Sequence, residues 1–118
     1  MRSIEVPTPD RAEFLAAFAR QHFGWLARLR ITYKDGEEKT TELLPLAAIE
    51  HLQNGDIRIV LGDSQGLAQS VTSIRHLQTD DGADAGLQFE SNDRSILLEF
   101  RVAAQPETID GILPSEAA

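Results

Sequence analysis

Residues 62–66 read Gly-Asp-Ser-Gln-Gly and match the G-x-S-x-G pattern of serine hydrolases. In that pattern the serine is exposed on a sharp turn between a strand and a helix, where it can attack a carbonyl carbon. The usual chain order is serine, acid, histidine, whereas the only histidine after Ser64 is His76, which precedes the aspartates of residues 80–84. We therefore expect an ordinary turn at Ser64, and a hydrolase that uses it is our third hypothesis.

Residues 80–84 read Asp-Asp-Gly-Ala-Asp, an acidic run that raises the question of a calcium loop. An EF-hand loop needs glycine at its sixth position and a bidentate glutamate at its twelfth. When the loop is aligned to begin at Asp80, those positions are Ala85 and Ser91. We expect a polar loop between two strands, with no metal and no cofactor.

The three histidines, His22, His51 and His76, are far apart in sequence and share no ligand spacing such as i, i+4. We expect His22 to interact with the negative end of a helix, where a cation is favoured. The other two are expected to be half-exposed strand residues. The sequence predicts no catalytic residue and no metal site.

The charge is unevenly distributed along an acidic chain of 118 residues with net charge −8. Residues 1–34 hold six Arg or Lys against three Asp or Glu, and the other 84 residues hold five against sixteen. Nucleic-acid binding normally requires a basic face, so we expect no nucleic-acid partner. The basic patch of the first part could instead meet an acidic protein or the acidic part of another copy.

Three residues of that basic region make a candidate interaction surface: Arg28 and Arg30, with Leu26 beside them on the same face of a strand. The competing interpretation is that these arginines pair with acids on the neighbouring strand, and Glu42 is well placed for one of them.

The first element is predicted to be a helix over residues 9–22, with Thr8 as its N-cap and Pro9 in its first position. Its apolar residues recur at helical spacing, and Gly24 supplies a left-handed stop. The larger aromatic residues are predicted to form the core: Phe14, Phe18, Phe23, Trp25, Phe89 and Phe100.

From Trp25 onward the apolar period changes to two, which indicates strands separated by hairpin turns. After Asp35-Gly36 we expect a turn longer than two residues or a bulge, which sets Leu29 against Leu43 and Arg30 against Glu42. A two-residue turn at residues 92–93 would pair Phe89 with Ile96 and Leu87 with Leu98. Residues 45–53 and 67–77 fit either a helix or a strand, and we interpret both as strands.

These elements predict an α+β domain, mostly antiparallel β, with the N-terminal helix packed on a curled sheet of five to seven strands or a small barrel. The expected organisation is an N-terminal extension at 1–8, one globular domain at 9–113 and a frayed tail at 114–118. The residues Ile109, Ile112 and Leu113 are expected to pack against the sheet.

The chain resembles an uncharacterised bacterial family of short single-domain proteins. The likeness covers residues 10–112 and is carried by Glu13-Phe14-Leu15, Arg20-Gln21-His22-Phe23-Gly24-Trp25, Leu44-Pro45-Leu46-Ala47-Ala48-Ile49, Gly62, Gly82-Ala83-Asp84, Leu87, Phe89-Glu90-Ser91, Leu97-Leu98-Glu99-Phe100-Arg101 and Asp110-Gly111. The resemblance implies a bacterial source and a compact domain. It assigns no activity and no functional residue.

Our leading functional hypothesis is a small non-enzymatic cytoplasmic domain that acts by contact with a protein partner or with itself. The alternative is a small-ligand pocket lined by Trp25, Tyr33, His51 or His76. The chain has no cysteine, no apolar stretch long enough to span a membrane and no signal-like apolar segment near residue 1, so we expect neither a disulfide framework nor a membrane partner.

Overall fold

The computed structural model describes residues 2–101, and the predictions made for residues 102–118 lie outside this range. Its one α-helix, α1, spans Arg11–Gln21 and follows a short 3-10 helix at Thr8–Asp10. The strands are β1 (Arg2–Glu5), β2 (Leu26–Tyr33), β3 (Glu38–Thr40), β4 (Leu44–His51), β5 (Ile57–Leu61), β6 (Ser64–Ala68), β7 (Val71–Gln78), β8 (Asp84–Ser91) and β9 (Arg94–Phe100).

The strands form one antiparallel sheet in the order β1-β7-β8-β9-β2-β4-β5-β6, and β3 pairs with β2 off this path. The predicted α+β class with a mostly antiparallel sheet is confirmed. The described chain has nine strands, not five to seven, and the sheet is not closed, so the barrel alternative was wrong. One unpredicted strand is β1, which lies in the residues assigned to the N-terminal extension and pairs with β7.

The N-terminal helix is confirmed close to its predicted range, and Leu15 and Phe18 are buried on its inner side. Gly24 has φ +85° and ends the helical segment as predicted. The start differs, because Thr8 and Pro9 lie in the preceding 3-10 helix and the N-cap of α1 is Asp10, whose side chain makes no capping hydrogen bond.

The first hairpin has a different register from the predicted one, although its turn is longer than two residues as expected. Arg30 pairs with Thr40 instead of Glu42. The amide of Tyr33 donates to the Glu37 carbonyl (2.8 Å), which leaves a three-residue turn at 34–36. The amide of Thr41 then donates to the Leu29 carbonyl (3.0 Å), and the Thr41 hydroxyl accepts the amide hydrogen of Leu29 (2.9 Å).

The first ambiguous segment, 45–53, is largely a strand as interpreted, in β4. The second, 67–77, was interpreted as one strand but is divided at residues 69–70 between the end of β6 and β7. The last hairpin also has its predicted register, with Phe89 opposite Ile96 and Leu87 opposite Leu98.

The core lies between the inner face of the sheet and α1, and its fully buried members come from nearly every element: Leu15, Leu46, Ile57, Ile59, Ile74, Leu87, Phe89 and Leu98. Two predicted core residues are not in it. Phe23 is 70% exposed and Trp25 is 46% exposed. Both lie where the chain turns from α1 into β2, and the core below this turn is already filled by Phe18 and Phe100.

A β-bulge in β8 decides which way Asp84 faces. Gly86 lies opposite Leu77 and Asp84 lies opposite Gln78, so Ala85 is an extra residue on this strand. Asp84 and Leu87 are three residues apart and would face opposite sides of a regular strand. The bulge turns Asp84 to the inner face, which also carries Leu87 and its cross-strand neighbour His76.

Gly86 makes this bulge possible, and we expect its replacement by alanine to be strongly destabilising. Its φ is +153°, and a Cβ atom there would overlap the backbone carbonyl oxygen of Leu98. We expect Gly86→Ala to lower the free energy of unfolding by about 3 kcal/mol, as measured by urea denaturation. The matched control is Gly82→Ala, which also has a positive φ but open space around the added Cβ, and we expect it to cost about 1 kcal/mol. Equal losses in the two variants would show that the close approach to Leu98 is unimportant.

Candidate functional site

Two of the three histidines converge on one carboxylate at the C-terminal end of α1. The Nε2 atom of His22 lies 2.7 Å from Oδ2 of Asp84, and the Nε2 atom of His76 lies 2.7 Å from Oδ1. Both carboxylate oxygens are therefore engaged. We call these three residues the histidine clasp; it joins α1 to strands β7 and β8.

Each member of the clasp is placed by a different local rule. His22 is the C-cap residue of α1, and its Nδ1 lies 2.8 Å from the Phe18 carbonyl oxygen at the helix end. The expected interaction of His22 with the helix terminus is thus confirmed. His76 faces inward because it alternates with the buried Ile74 on β7, and Asp84 faces inward because of the bulge.

Hydrogen bonding limits where the protons of the clasp can lie. A backbone carbonyl only accepts, so Nδ1 of His22 carries a hydrogen and donates it to Phe18. A neutral ring then has no hydrogen left on Nε2, yet Nε2 faces a carboxylate oxygen of Asp84. One proton must therefore lie between Nε2 and Oδ2, either on a charged His22 or on Asp84 itself.

Asp84 is the group whose ionisation responds to this geometry. Partial burial raises its pKa, but the hydrogen bonds donated by His76 and His22 and the positive charge on their rings outweigh the burial, so the pKa of Asp84 lies below its ordinary value. The carboxylate is consequently the favoured form of Asp84.

Aromatic rings enclose the clasp on the helix side. The His22 ring stacks on Phe100 with centroids 5.0 Å apart and lies 4.1 Å from the Phe18 ring. Trp25 meets His22 edge-on at 4.6 Å. His76 is bounded by Phe14 at 5.4 Å. Since His22 is 3% exposed and both of its nitrogens are engaged, it fastens the helix and is unavailable as a base for a bound substrate.

The surface directly outside the clasp is the aromatic turn, by which we mean residues 23–25. Its backbone is fixed by hydrogen bonds from Gly24 N to the Leu46 carbonyl (2.8 Å), from Trp25 N to His22 (3.0 Å) and from Leu46 N to Trp25 (2.8 Å). These bonds fix the backbone that carries the exposed side chains of Phe23 and Trp25. The sequence signal for this exposed turn was Gly24, whose left-handed conformation ends the helical segment directly after Phe23.

The predicted surface residues Leu26, Arg28 and Arg30 lie together on the outer face of β2, next to the aromatic turn. Both arginines bind one carboxylate, since Nε of Arg28 and Nη2 of Arg30 lie 3.1 and 3.3 Å from Oε1 of Glu99. The expected partner Glu42 was wrong because the hairpin register differs. Glu99 lies opposite Arg28 on β9.

Ser64 is not on a nucleophile elbow. It pairs with Leu61 across a two-residue turn at 62–63, so the sequence forms a β-hairpin between β5 and β6 instead of a strand–turn–helix unit. His51, the third histidine, is exposed at the end of β4 and is not among the histidines that bind Asp84.

The sequence also raised the questions of a calcium loop at residues 80–84 and of a small-ligand pocket, and the geometry supports neither. Asp84 binds the two histidines and does not join Asp80 and Asp81 in a loop site. Within residues 2–101, no group of three or more His, Cys, Asp or Glu side chains could hold a metal ion. A small apolar groove with a cavity volume of about 30 Å³ lies between β6 and β2. Its lining contains none of Trp25, Tyr33, His51 and His76, and consists of Leu29, Thr41, Leu44, Ile59, Leu61, Ser64, Gln65 and Gly66. The described part of the chain also has no helix long and apolar enough to cross a membrane.

Searches against protein-family models, curated proteins and solved structures returned no significant match. The resemblance to an uncharacterised bacterial family therefore stays a prediction.

We expect Asp84→Asn to weaken the fold at neutral pH but not in acid. The pKa of Asp84 is lowered in the folded state, so its contribution to stability is present above the ordinary pKa of about 4 and is lost as the pH falls through the folded value. Loss of two charge-assisted hydrogen bonds should cost about 2 kcal/mol at pH 7. Urea denaturation of both proteins at a series of pH values from neutral to acid measures the difference.

The control for this prediction is Asp63→Asn, which changes an exposed aspartate in the turn at 62–63. It removes the same charge without touching the clasp and should leave the pH profile unchanged. A destabilisation of Asp84→Asn that is the same in acid as at neutral pH would mean that the carboxylate charge does not hold the helix end.

Proposed function

We propose that this protein is a protein-contact module that binds an acidic, apolar-bearing segment of another protein at the aromatic turn. The observation that carries the proposal is the exposure of Phe23 and Trp25 on a turn whose backbone is fixed. Large aromatic side chains are the commonest anchors of protein interfaces, and they contribute most when they are held ready before binding.

The charges beside the turn favour an acidic partner. Arg20 is exposed in the last turn of α1, three residues before Phe23. Arg101 is exposed next to Leu26, to whose carbonyl its amide donates (2.9 Å). Within residues 2–101 neither arginine forms an ion pair. Two cations that form no ion pair with the described residues, beside two exposed aromatic side chains, thus give a local basic, apolar surface on a protein of net charge −8.

The predicted surface of Leu26, Arg28 and Arg30 extends this region on the outer face of β2. Glu99 neutralises one of its two arginines, so the pair still carries a net positive charge. Leu26 is 39% exposed and adds an apolar contact beside Arg101. This surface therefore supports the same partner class, with Phe23 and Trp25 as the anchors and the arginines as the rim that steers an acidic segment towards them.

The proposed compartment is the cytoplasm and the proposed source is bacterial. The first rests on the absence of cysteine, which removes any dependence on an oxidising compartment. The second rests on the family resemblance. A protein-contact role needs no cofactor, and none is proposed.

The partner class can be tested by panning a phage-displayed library of random peptides on the wild-type protein and on Phe23→Ser. Phe23 is 70% exposed, so this substitution should leave the fold intact. We expect wild-type protein to enrich peptides that combine Asp or Glu with apolar residues. Their affinity for Phe23→Ser should fall about 30-fold, which corresponds to the roughly 2 kcal/mol of an interface anchor, as measured by titration of the fluorescence of Trp25, the only tryptophan.

The matched control is Leu67→Ser, which removes another exposed apolar side chain, on β6, and should bind the selected peptides as wild type does. Binding should also weaken as salt is raised, because rim charges at a surface are screened. The proposal would be overturned if the enriched peptides were neutral or basic, or if they bound Phe23→Ser equally well.

A further inference from the structure

Strand β6 is the last strand of the sheet and pairs on one side only. Its register with β5 runs from Leu61 opposite Ser64 to Ile57 opposite Ala68. No other strand within residues 2–101 pairs with it. Its second edge therefore has no strand partner among the described residues.

The backbone groups that face this open edge belong to Gln65 and Leu67. The residue pair that closes a two-residue hairpin exchanges both hydrogen bonds, so Ser64 is bonded to Leu61 across the turn. Hydrogen-bonded and non-hydrogen-bonded pairs alternate along an antiparallel ladder. The N–H and C=O groups of Gln65 and Leu67 therefore point away from β5. These four groups make no hydrogen bond to any described residue of the chain.

This edge lacks the protection that sheet edges normally carry. Charged side chains on an edge strand prevent it from pairing with another chain. Strand β1, at the other end of the sheet, has Arg2 and Glu5, and the short edge strand β3 has Glu38 and Lys39. Strand β6 reads Ser-Gln-Gly-Leu-Ala, with no charge and no proline, and its Leu67 is 43% exposed.

The spacing of the outward groups fits a two-fold axis through Gly66. In an antiparallel pair of two β6 strands centred there, Gln65 of each copy lies opposite Leu67 of the other. Both positions are the outward-facing ones, so the two pairs can exchange four backbone hydrogen bonds. Gly66 meets its own copy at the centre, where the absence of a side chain allows a close approach, and the two Leu67 side chains lie diagonally across the pair within contact range.

We propose that β6 is a self-association edge, through which two copies of this chain pair in an antiparallel manner about Gly66 and form one continuous sheet. This surface is distinct from the aromatic turn, so either proposal can fail without the other. The contact is short and the two copies each carry a net charge of −8. The dimer is therefore weak and becomes stronger as salt screens the repulsion.

The test is sedimentation equilibrium of the full chain from low micromolar to millimolar concentration, at low and high salt. We expect the mass of wild-type protein to rise from 13.0 kDa towards twice that value as concentration increases. Leu67→Lys places a charge on the edge next to its own copy and should raise the dissociation constant at least tenfold. Leu67→Pro removes an outward N–H without breaking the ladder to β5, and should have the same effect.

The matched control is Ile4→Lys, which puts the same charge on an exposed apolar residue of the opposite edge strand, β1, and should dimerise as wild type does. Thermal unfolding confirms that each variant is folded, and if Leu67→Pro is not, the lysine variant carries the test alone. A wild-type protein that stays at 13.0 kDa at millimolar concentration overturns the proposal. A dimer that Leu67→Lys leaves unchanged overturns it as well.

Discussion

The C-terminal end of α1 is fixed on the sheet by one carboxylate, that of Asp84, which binds a histidine from the helix end and another from β7. A carboxylate next to aromatic rings loses solvation, and this cost is offset only when its oxygens are well bonded. Both oxygens of Asp84 bind a histidine at 2.7 Å, so the group is satisfied. At the other end of the helix, Arg11 donates to the backbone carbonyl of Thr72 (2.9 Å), so polar bonds fasten the helix to β7 at its start and to β8 at its end.

The exposed aromatic turn is a consequence of this attachment. His22 occupies the buried position at the end of the helix, stacked on Phe100, and its side chain is held from two directions. The next residue, Phe23, must then point away from the core, since Gly24 reverses the chain immediately after it. The Trp25 ring contacts the rings of His22 and Phe100 edge-on and goes no deeper into the core. The same bonds that stabilise the helix end therefore also hold two large apolar side chains in solvent.

The sequence predicted the local structure well, because its signals are local. Alternating apolar residues and turn residues identified β2, β8 and β9, and the last hairpin had its register set by both a two-residue turn and the apolar pattern. The first hairpin failed because its register was inferred from matching Leu29 with Leu43 and Arg30 with Glu42, whereas the three-residue turn at 34–36 places Arg30 opposite Thr40. The apolar pattern does not report the length of that turn.

The clasp could not be predicted for a related reason. Its two histidines are 54 positions apart in the sequence, and a regular strand would turn Asp84 away from both. Only the extra residue Ala85, tolerated because Gly86 can approach the Leu98 carbonyl, brings the three side chains to one face. A bulge adds one residue to a strand and has no characteristic amino-acid composition. The sequence therefore indicated only that Asp84 belongs to an acidic loop.

Strand β6 meets β2 by its face and not by its edge. One end of β2 pairs with β4 at Leu26 and Ala27, and the other end pairs with β3 at residues 30–32. The strands at the two ends of the sheet are β1 and β6, so closure would require these two to pair, and within residues 2–101 they do not. Strand β6 instead packs over the inner face, where a Cβ atom on Gly66 would lie 2.6 Å from a methyl group of Leu29. Face-to-face packing on β2 thus takes the place of edge-to-edge pairing, and the outward backbone groups of β6 have no strand partner among the described residues, which is why we propose that a second copy supplies one.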